Sequence, residues 1–226
     1  MRAPSYSYEF RRECRGWNKI DKYEESRVRN ESTDFFGRGR LIAELVARVE
    51  QRLQSDAPGQ APVRLLPVIG PSGSGKSSVV MAGLLPRLQQ NALPGSKEWV
   101  YLSPLVPGAH PLEALALTLA PHLPQRSVKS IREDLEDDSA RGLHLLAAHL
   151  VKGPEQKVVL FVDQFEEAFN LTTSEDERSR FFDLLRTALT ERKGPVLVIL
   201  TFRADFYDRL TICYLKRMET YGFLFP

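Results

Sequence analysis

Eight consecutive residues, Gly70-Pro-Ser-Gly-Ser-Gly-Lys76-Ser77, fit the spacing G-x-x-x-x-G-K-[ST]. Residues of these types in this order can hold phosphate. Gly70, Gly73 and Gly75 let the backbone curl so that successive N–H groups point inward at phosphate oxygens. Lys76 is a point charge for β- and γ-phosphates, and the Ser77 hydroxyl can ligate Mg²⁺. Pro71, Ser72, Ser74 and Ser78 complete the stretch that would touch the ligand. An apolar strand candidate precedes the loop and a helix candidate follows it, which is the context the motif requires. The dipole of that helix adds to the pull on an anion. A glycine-rich turn that binds nothing would need neither this context nor the Lys-Ser pair.

A second stretch, VVLFVDQFEEAF (158 to 169), drives five apolar residues straight into Asp163, Glu166 and Glu167. A phosphate-binding loop needs a further Mg²⁺ contact from a strand end, and Asp163 ends the clearest strand in the chain. Glu166 and Glu167 follow at the distance where a base could orient water against a γ-phosphate. One of them is expected to polarise that water, and the spacing does not choose between the two. The rival reading is plain: acids at a helix start are favoured by the helix dipole alone. In TFRADFYDRL, Arg203 stands just beyond a third apolar run, VLVILTF, where a cation can sense or stabilise charge on a γ-phosphate. Read structurally, it is a strand-end arginine in a surface ion pair. Asp205 and Asp208 read as solvated or paired with nearby arginines.

These residues need a frame to bring them together. RLLPVIG, KVVLFVD and GPVLVILTFR are near-unbroken apolar runs separated by helical patterns, which predicts a parallel sheet covered on both faces. EWVYLSP is a fourth strand candidate. Leu41, Leu45, Val46, Val49 and Leu53 recur at helical spacing and predict an amphipathic helix over about 38–54. The helix after the loop should bend or end at Pro86. Pro111 should open another helix, and a single helix is expected from Ile131 to Val151. Ser174 should cap a helix that carries acids in its first turn.

Composition narrows the function classes. The 226 residues carry a formal net charge of +2, with 42% hydrophobic and 27% charged residues. That balance gives no sign of a nucleic-acid-binding surface. Residues 1–33 hold eight Lys or Arg against six acids and read as a weakly ordered lead-in rather than a basic arm. No apolar run nears the ~20 residues of a spanning helix, and no secretory signal opens the chain. Cys14 and Cys213 lack metal spacing and read as free thiols in a reducing compartment. A cytoplasmic protein without membrane contact is therefore expected. His110, His122, His144 and His149 show no metal spacing either.

FFGR (35–38), GPSGSGKSS (70–78), VDQFEEAF (162–169) and TFRADFYDRL (201–210) together resemble the novel STAND NTPase group, the signal-transduction ATPases related to NACHT and apoptotic ATPases. The resemblance covers roughly residues 33 to 210. It implies an α/β P-loop NTPase fold, a three-layer sandwich around a mainly parallel sheet. An additional strand, the one ending at Arg203, would lie between the P-loop strand and the Asp163 strand. It further implies a nucleotide-dependent switch that exchanges ADP for ATP with Mg²⁺, hydrolyses slowly, and works through self-association or a signalling protein partner. Phe36, Gly37 and Arg38 would help hold the adenine and ribose side. Where the family follows FFGR with an acid, and often has another two residues later, Gly39 and Leu41 stand here. The domain is expected to occupy 34–210. Family members continue into a fifth strand and further subdomains; residues 211–226 are expected to hold none of these, leaving the C-terminal part incomplete. Two other function classes remain: a non-catalytic nucleotide-binding or interaction module, and a small-molecule kinase. The kinase is disfavoured because no arginine-rich lid is evident.

Overall fold

The computed structural model describes residues 38–54, 63–137, 140–206 and the backbone of 223–224. The chain divides into two units, Met1–Arg40 and Leu41–Pro226, and the sheet and the candidate site belong to the second. The lead-in expected over 1–33 lies outside the described residues, as do Phe36, Gly37, Asp208 and both cysteines.

Helix α1 (Gly39–Leu53) matches the expected amphipathic span and buries Ile42, Leu45 and Val49. Strand β1 (Leu65–Gly70) runs into the glycine-rich loop, and α2 (Lys76–Val79) leaves it. The helical run continues as a π-helical turn, Val80–Leu84, into α3 (Leu85–Gln89). Pro86 sits in the first turn of α3. It has no N–H to give, and its ring would crowd the carbonyl four residues earlier. The chain answers by widening the preceding turn, so that the Leu85 N–H donates to the Val80 carbonyl, five residues back. Pro86 neither ends nor breaks the run; it changes its hydrogen-bond step.

Strand β2 (Val100–Tyr101) is short, with Leu105 adding an isolated parallel bridge to Val162. Helix α4 (Pro111–Leu119) opens on its proline as expected. The single helix expected from Ile131 to Val151 is instead two, α5 (Val128–Glu136) and α6 (Gly142–Ala148). One helix of that length would run about 30 Å in one direction. Two short ones let Ile131 and Leu135 share a core with Leu143 and Leu146. The reversal passes through Ala140 at φ 53°. It brings Gly142 so close to α5 that a Cβ there would overlap the Asp134 carbonyl oxygen.

Strand β3 (Val158–Val162), helix α7 (Glu167–Asn170), helix α8 (Glu175–Thr190) and strand β4 (Val196–Arg203) follow. Ser174 caps α8 as expected, its hydroxyl accepting the Glu177 N–H at 3.2 Å.

All pairings are parallel and the strand order is β2-β3-β4-β1-β5. Thus β4 lies between β1 and β3, the additional-strand arrangement. The strands are apolar throughout because both faces are covered. Leu65, Ile69, Leu160, Val162, Val198, Leu200 and Phe202 face the core built with α4, α5, α6 and α8. Leu66, Val68, Val159, Phe161, Leu197 and Ile199 face the core built with α1, α2 and the π turn. This is the three-layer sandwich.

The tail holds a correction. A fifth strand, β5 (Phe223–Leu224), pairs with Val68 and Ile69 of β1. Two residues are too few for any period, but the outer edge of β1 carries backbone groups that favour a partner strand. Among the described residues no helix is long and apolar enough to cross a membrane.

Candidate functional site

The parallel sheet directs the carboxyl ends of β1, β3 and β4 to one edge, and the residues singled out by spacing gather there. In the loop after β1, Gly73 and Gly75 take φ values of 73° and 87°, the left-handed region that glycine enters without cost. A Cβ at Gly73 would meet nothing within 4 Å, so the requirement there is conformational rather than steric. The Ser74 hydroxyl ties the loop by donating to the Pro71 carbonyl at 2.8 Å. Pro71, Ser72, Gly73 and Ser78 are exposed, while Gly70 is buried.

Lys76 opens α2 and is only 8% exposed. Its ammonium donates to the carbonyls of Gly70 at 2.9 Å and Pro71 at 2.6 Å, so the charge lies against the loop. Burial draws the ammonium below its ordinary pKa. Glu166 and then Asp163 oppose this through their charge, while Arg203 adds to it. Lys76, Asp163, Glu166 and Arg203 therefore share one electrostatic neighbourhood.

Asp163 directly follows β3. Its Oδ1 accepts from the Ser77 hydroxyl at 2.6 Å, the Thr201 hydroxyl at 2.5 Å and the Gln164 N–H at 3.1 Å. Residues 86 positions apart in sequence meet at the Ser77–Asp163 bond. A hydroxyl that gives its proton to a carboxylate keeps its lone pairs available for a cation.

The segment after Asp163 is fixed by phenylalanine. Phe165, 1% exposed, lies between Phe181, Phe182 and Phe202, with ring centroids 5.6 to 6.3 Å away. This anchor holds the two glutamates in different surroundings. Glu166 is 7% exposed, and its Oε2 accepts the Arg203 backbone N–H at 3.3 Å. Glu167 is partly exposed, with the backbone N–H of Gly108, in the loop between β2 and α4, near enough to favour its ionised form. Burial raises the Glu167 pKa, the charges of Glu166 and Asp163 raise it further, and the Gly108 N–H opposes the shift. Of the two, Glu166 contacts β4 and acts on the lysine through its charge.

Arg203 ends β4 at the same edge. Its side chain clasps Asp205, Nε to Oδ1 at 3.1 Å and Nη2 to Oδ2 at 2.6 Å, and lies 5.2 Å from the Phe206 ring centroid. That pairing raises the pKa of the guanidinium and lowers that of the Asp205 carboxyl. The ion pair expected for Asp205 is present, and Arg203 is simultaneously in electrostatic range of Lys76. Arg38 immediately precedes α1.

Three contributors escaped the sequence reading. Thr201 had a faint signal, a hydroxyl inside an otherwise apolar strand. Phe165 could be read only as one more apolar residue. Gly108 carried no signal, because its role is that of a backbone N–H. His110 lies 3.5 Å from Glu177, and burial lowers the pKa of His122 and His144.

A phosphate-type loop after β1, with a carboxylate on the strand two places away and β4 inserted between, defines a nucleotide-binding NTPase module of the P-loop class. Residues 25–220 match the family described as Novel STAND NTPase 1, and the chain belongs to that family. Among solved structures, the chain is similar to the Aeropyrum pernix ORC2 protein in its ADPNP–ADP complexes. The identity is 15% and the TM-score 0.54, over 88% of this chain and 50% of that one. The present chain thus spans half the length of that protein, and the likeness is one of fold. A second similarity is to the E. coli MS115-1 HORMA:CdnC:Trip13 complex, with 16% identity and a TM-score of 0.39 over 80% and 58% of the two chains. No curated protein matches the chain.

Proposed function

We propose that the chain is a nucleotide switch that binds ATP or ADP with Mg²⁺ and hydrolyses ATP slowly. The observation that carries this reading is the meeting of Ser77 and Asp163 at 2.6 Å beside the buried Lys76. The donor set fits the ligand: backbone N–H groups in an open left-handed loop and an ammonium for phosphate, a hydroxyl and a carboxylate for a hard cation. Among the described residues no group of three or more His, Cys, Asp or Glu could hold a metal ion. Ser77 and Asp163 would therefore share the cation with nucleotide oxygens and water, as is usual for Mg²⁺. When bound, Mg²⁺ would offset charge on the β- and γ-phosphates.

Glu166 is the better candidate for the base. It is buried at the phosphate edge and oriented by the Arg203 N–H, whereas Glu167 is partly exposed. Arg203 would sense the γ-phosphate, exchanging some of its contact with Asp205 for phosphate oxygens. The phosphate contacts would come from residues 70–78. A protein partner or self-association would read the bound state.

The test is calorimetric titration with ATP, ADP and GTP, with and without Mg²⁺, followed by a long-incubation hydrolysis assay. Adenine nucleotides should bind more tightly with Mg²⁺ present. Glu166→Gln should keep ATP binding and suppress phosphate release, while Glu167→Gln should retain hydrolysis. Suppression by Glu167→Gln alone would reverse the assignment, and absence of nucleotide binding would refute the function.

A further inference from the structure

We propose that Thr201 is a positioning residue for the divalent cation, acting through Asp163. The inference rests on the proposed function and adds a residue to its machinery. Thr201 is 1% exposed and is the one polar side chain in the buried run Val196–Phe202. A hydroxyl in such a place is disfavoured unless its hydrogen bonds are made, and here they are made to two adjacent residues, Asp163 and Gln164. Val162 pairs with Leu200 in the last register step of β3 with β4, so the next step sets Thr201 beside Asp163.

The polarity of the contacts is determined. The Thr201 hydroxyl accepts the Gln164 N–H at 2.9 Å, so its single proton goes to Asp163 Oδ1 at 2.5 Å. Its backbone carbonyl accepts the Phe165 N–H at 3.0 Å. Between these contacts the chain turns through Gln164 in the left-handed region at φ 51°. Thr201 therefore holds both the carboxylate and the turn that carries it.

The consequence concerns the cation. Ser77 and Thr201 both aim protons at Oδ1, from α2 and from β4 respectively. Two hydroxyls approaching from different elements fix the plane of the carboxylate. Without Thr201 the carboxylate can swing with Ser77, and the distance between the two cation-facing groups is no longer defined. Second-layer contacts of this type tune metal affinity strongly. A purely structural threonine would affect stability and leave the Mg²⁺ requirement alone.

The experiment uses the full chain with Thr201→Val, Thr201→Ser and Thr201→Cys. Binding of ATP is measured in EDTA and across a Mg²⁺ titration, alongside the thermal midpoint of the free protein. Thr201→Val should raise the Mg²⁺ concentration for half-maximal enhancement about tenfold, with affinity in EDTA within about twofold of wild type. Thr201→Ser, which keeps the hydroxyl, should stay near wild type in both. If Thr201→Val does not fold, Thr201→Cys, whose thiol is a weaker donor, should show a smaller rise in the same direction. An unchanged Mg²⁺ requirement in the folded valine or cysteine variant would overturn the proposal, as would a tenfold rise in the serine variant. If wild type bound ATP equally with and without Mg²⁺, the proposed function would fail first and this inference with it.

Discussion

At the amino end of β1, Arg64 is 3% exposed and gives its guanidinium to backbone. Nε donates to the Val196 carbonyl at 3.1 Å, and Nη2 donates to those of Ala188 at 3.3 Å and Glu191 at 2.6 Å. At the carboxyl end of the same sheet, Lys76, Asp163 and Glu166 are 8%, 9% and 7% exposed. Their charges face one another across three elements. The two ends bury charge to different effect. Arg64 closes the C-terminal turn of α8 onto β4, satisfying carbonyls that a helix end leaves open. The other end holds charges of both signs beside an open glycine-rich loop, an arrangement able to respond to a ligand. Burial alone does not mark a functional charge; the nature of its neighbours does.

The largest effect that would sharpen this contrast is on stability. Arg64→Met should cost about 3 kcal/mol, because the buried Val196 and Ala188 carbonyls lose their guanidinium donor. Urea denaturation measures the loss, and ATP affinity of the folded protein should stay within about twofold. If Arg64→Met weakened binding as much as it weakened the fold, the two ends would not be separable.

Asp163→Asn should remove most of the Mg²⁺ enhancement of ATP binding, about tenfold or more, since a neutral amide loses the attraction for the cation. Affinity in EDTA should persist, because an amide oxygen still accepts from Ser77 and Thr201. Arg203→Ala should be milder. It should weaken ATP by about three- to tenfold and leave ADP nearly unchanged, because only the γ-phosphate would meet the guanidinium. Equal losses for both nucleotides would return Arg203 to a surface ion pair with Asp205.

The smallest effect belongs to Glu167. Its folded pKa lies above the unfolded one, so its contribution is most favourable at low pH and is lost as pH rises through the folded value. Glu167→Gln, which imitates the protonated form, should gain stability relative to wild type as pH rises above the ordinary Glu pKa of about 4. Because the group is partly exposed, the gain should stay below ~1 kcal/mol. A gap that narrowed with rising pH would contradict the sign.

How much of this was legible in the sequence differs between fold and site. Strands buried on both faces announce themselves as unbroken apolar runs, so β1, β3, β4 and their parallel pairing could be read directly. The meeting of the loop at 70–77 with Asp163 was legible because residue type and local spacing set both at the ends of apolar strands. Other features depend on tertiary contact. The different surroundings of Glu166 and Glu167 follow from the anchoring of Phe165 between them and the core, against rings on α8 and β4. Thr201 meets Asp163 through the register of β4 beside β3. The α5–α6 reversal turns on a close approach of Gly142 to Asp134, which no period records. Strand β5 exists because β1 has an edge to cover, and the residues that cover it are too few to show a pattern.

The most direct measurement is calorimetric titration of Lys76→Ala with ATP in Mg²⁺ beside wild type. The variant removes an ammonium set against the phosphate loop, where it donates only to the backbone carbonyls of Gly70 and Pro71. The fold should survive, judged by its thermal midpoint, and ATP affinity should fall by about a hundredfold or more. A folded Lys76→Ala protein that bound ATP as tightly as wild type would contradict the placement of the nucleotide at this edge of the sheet.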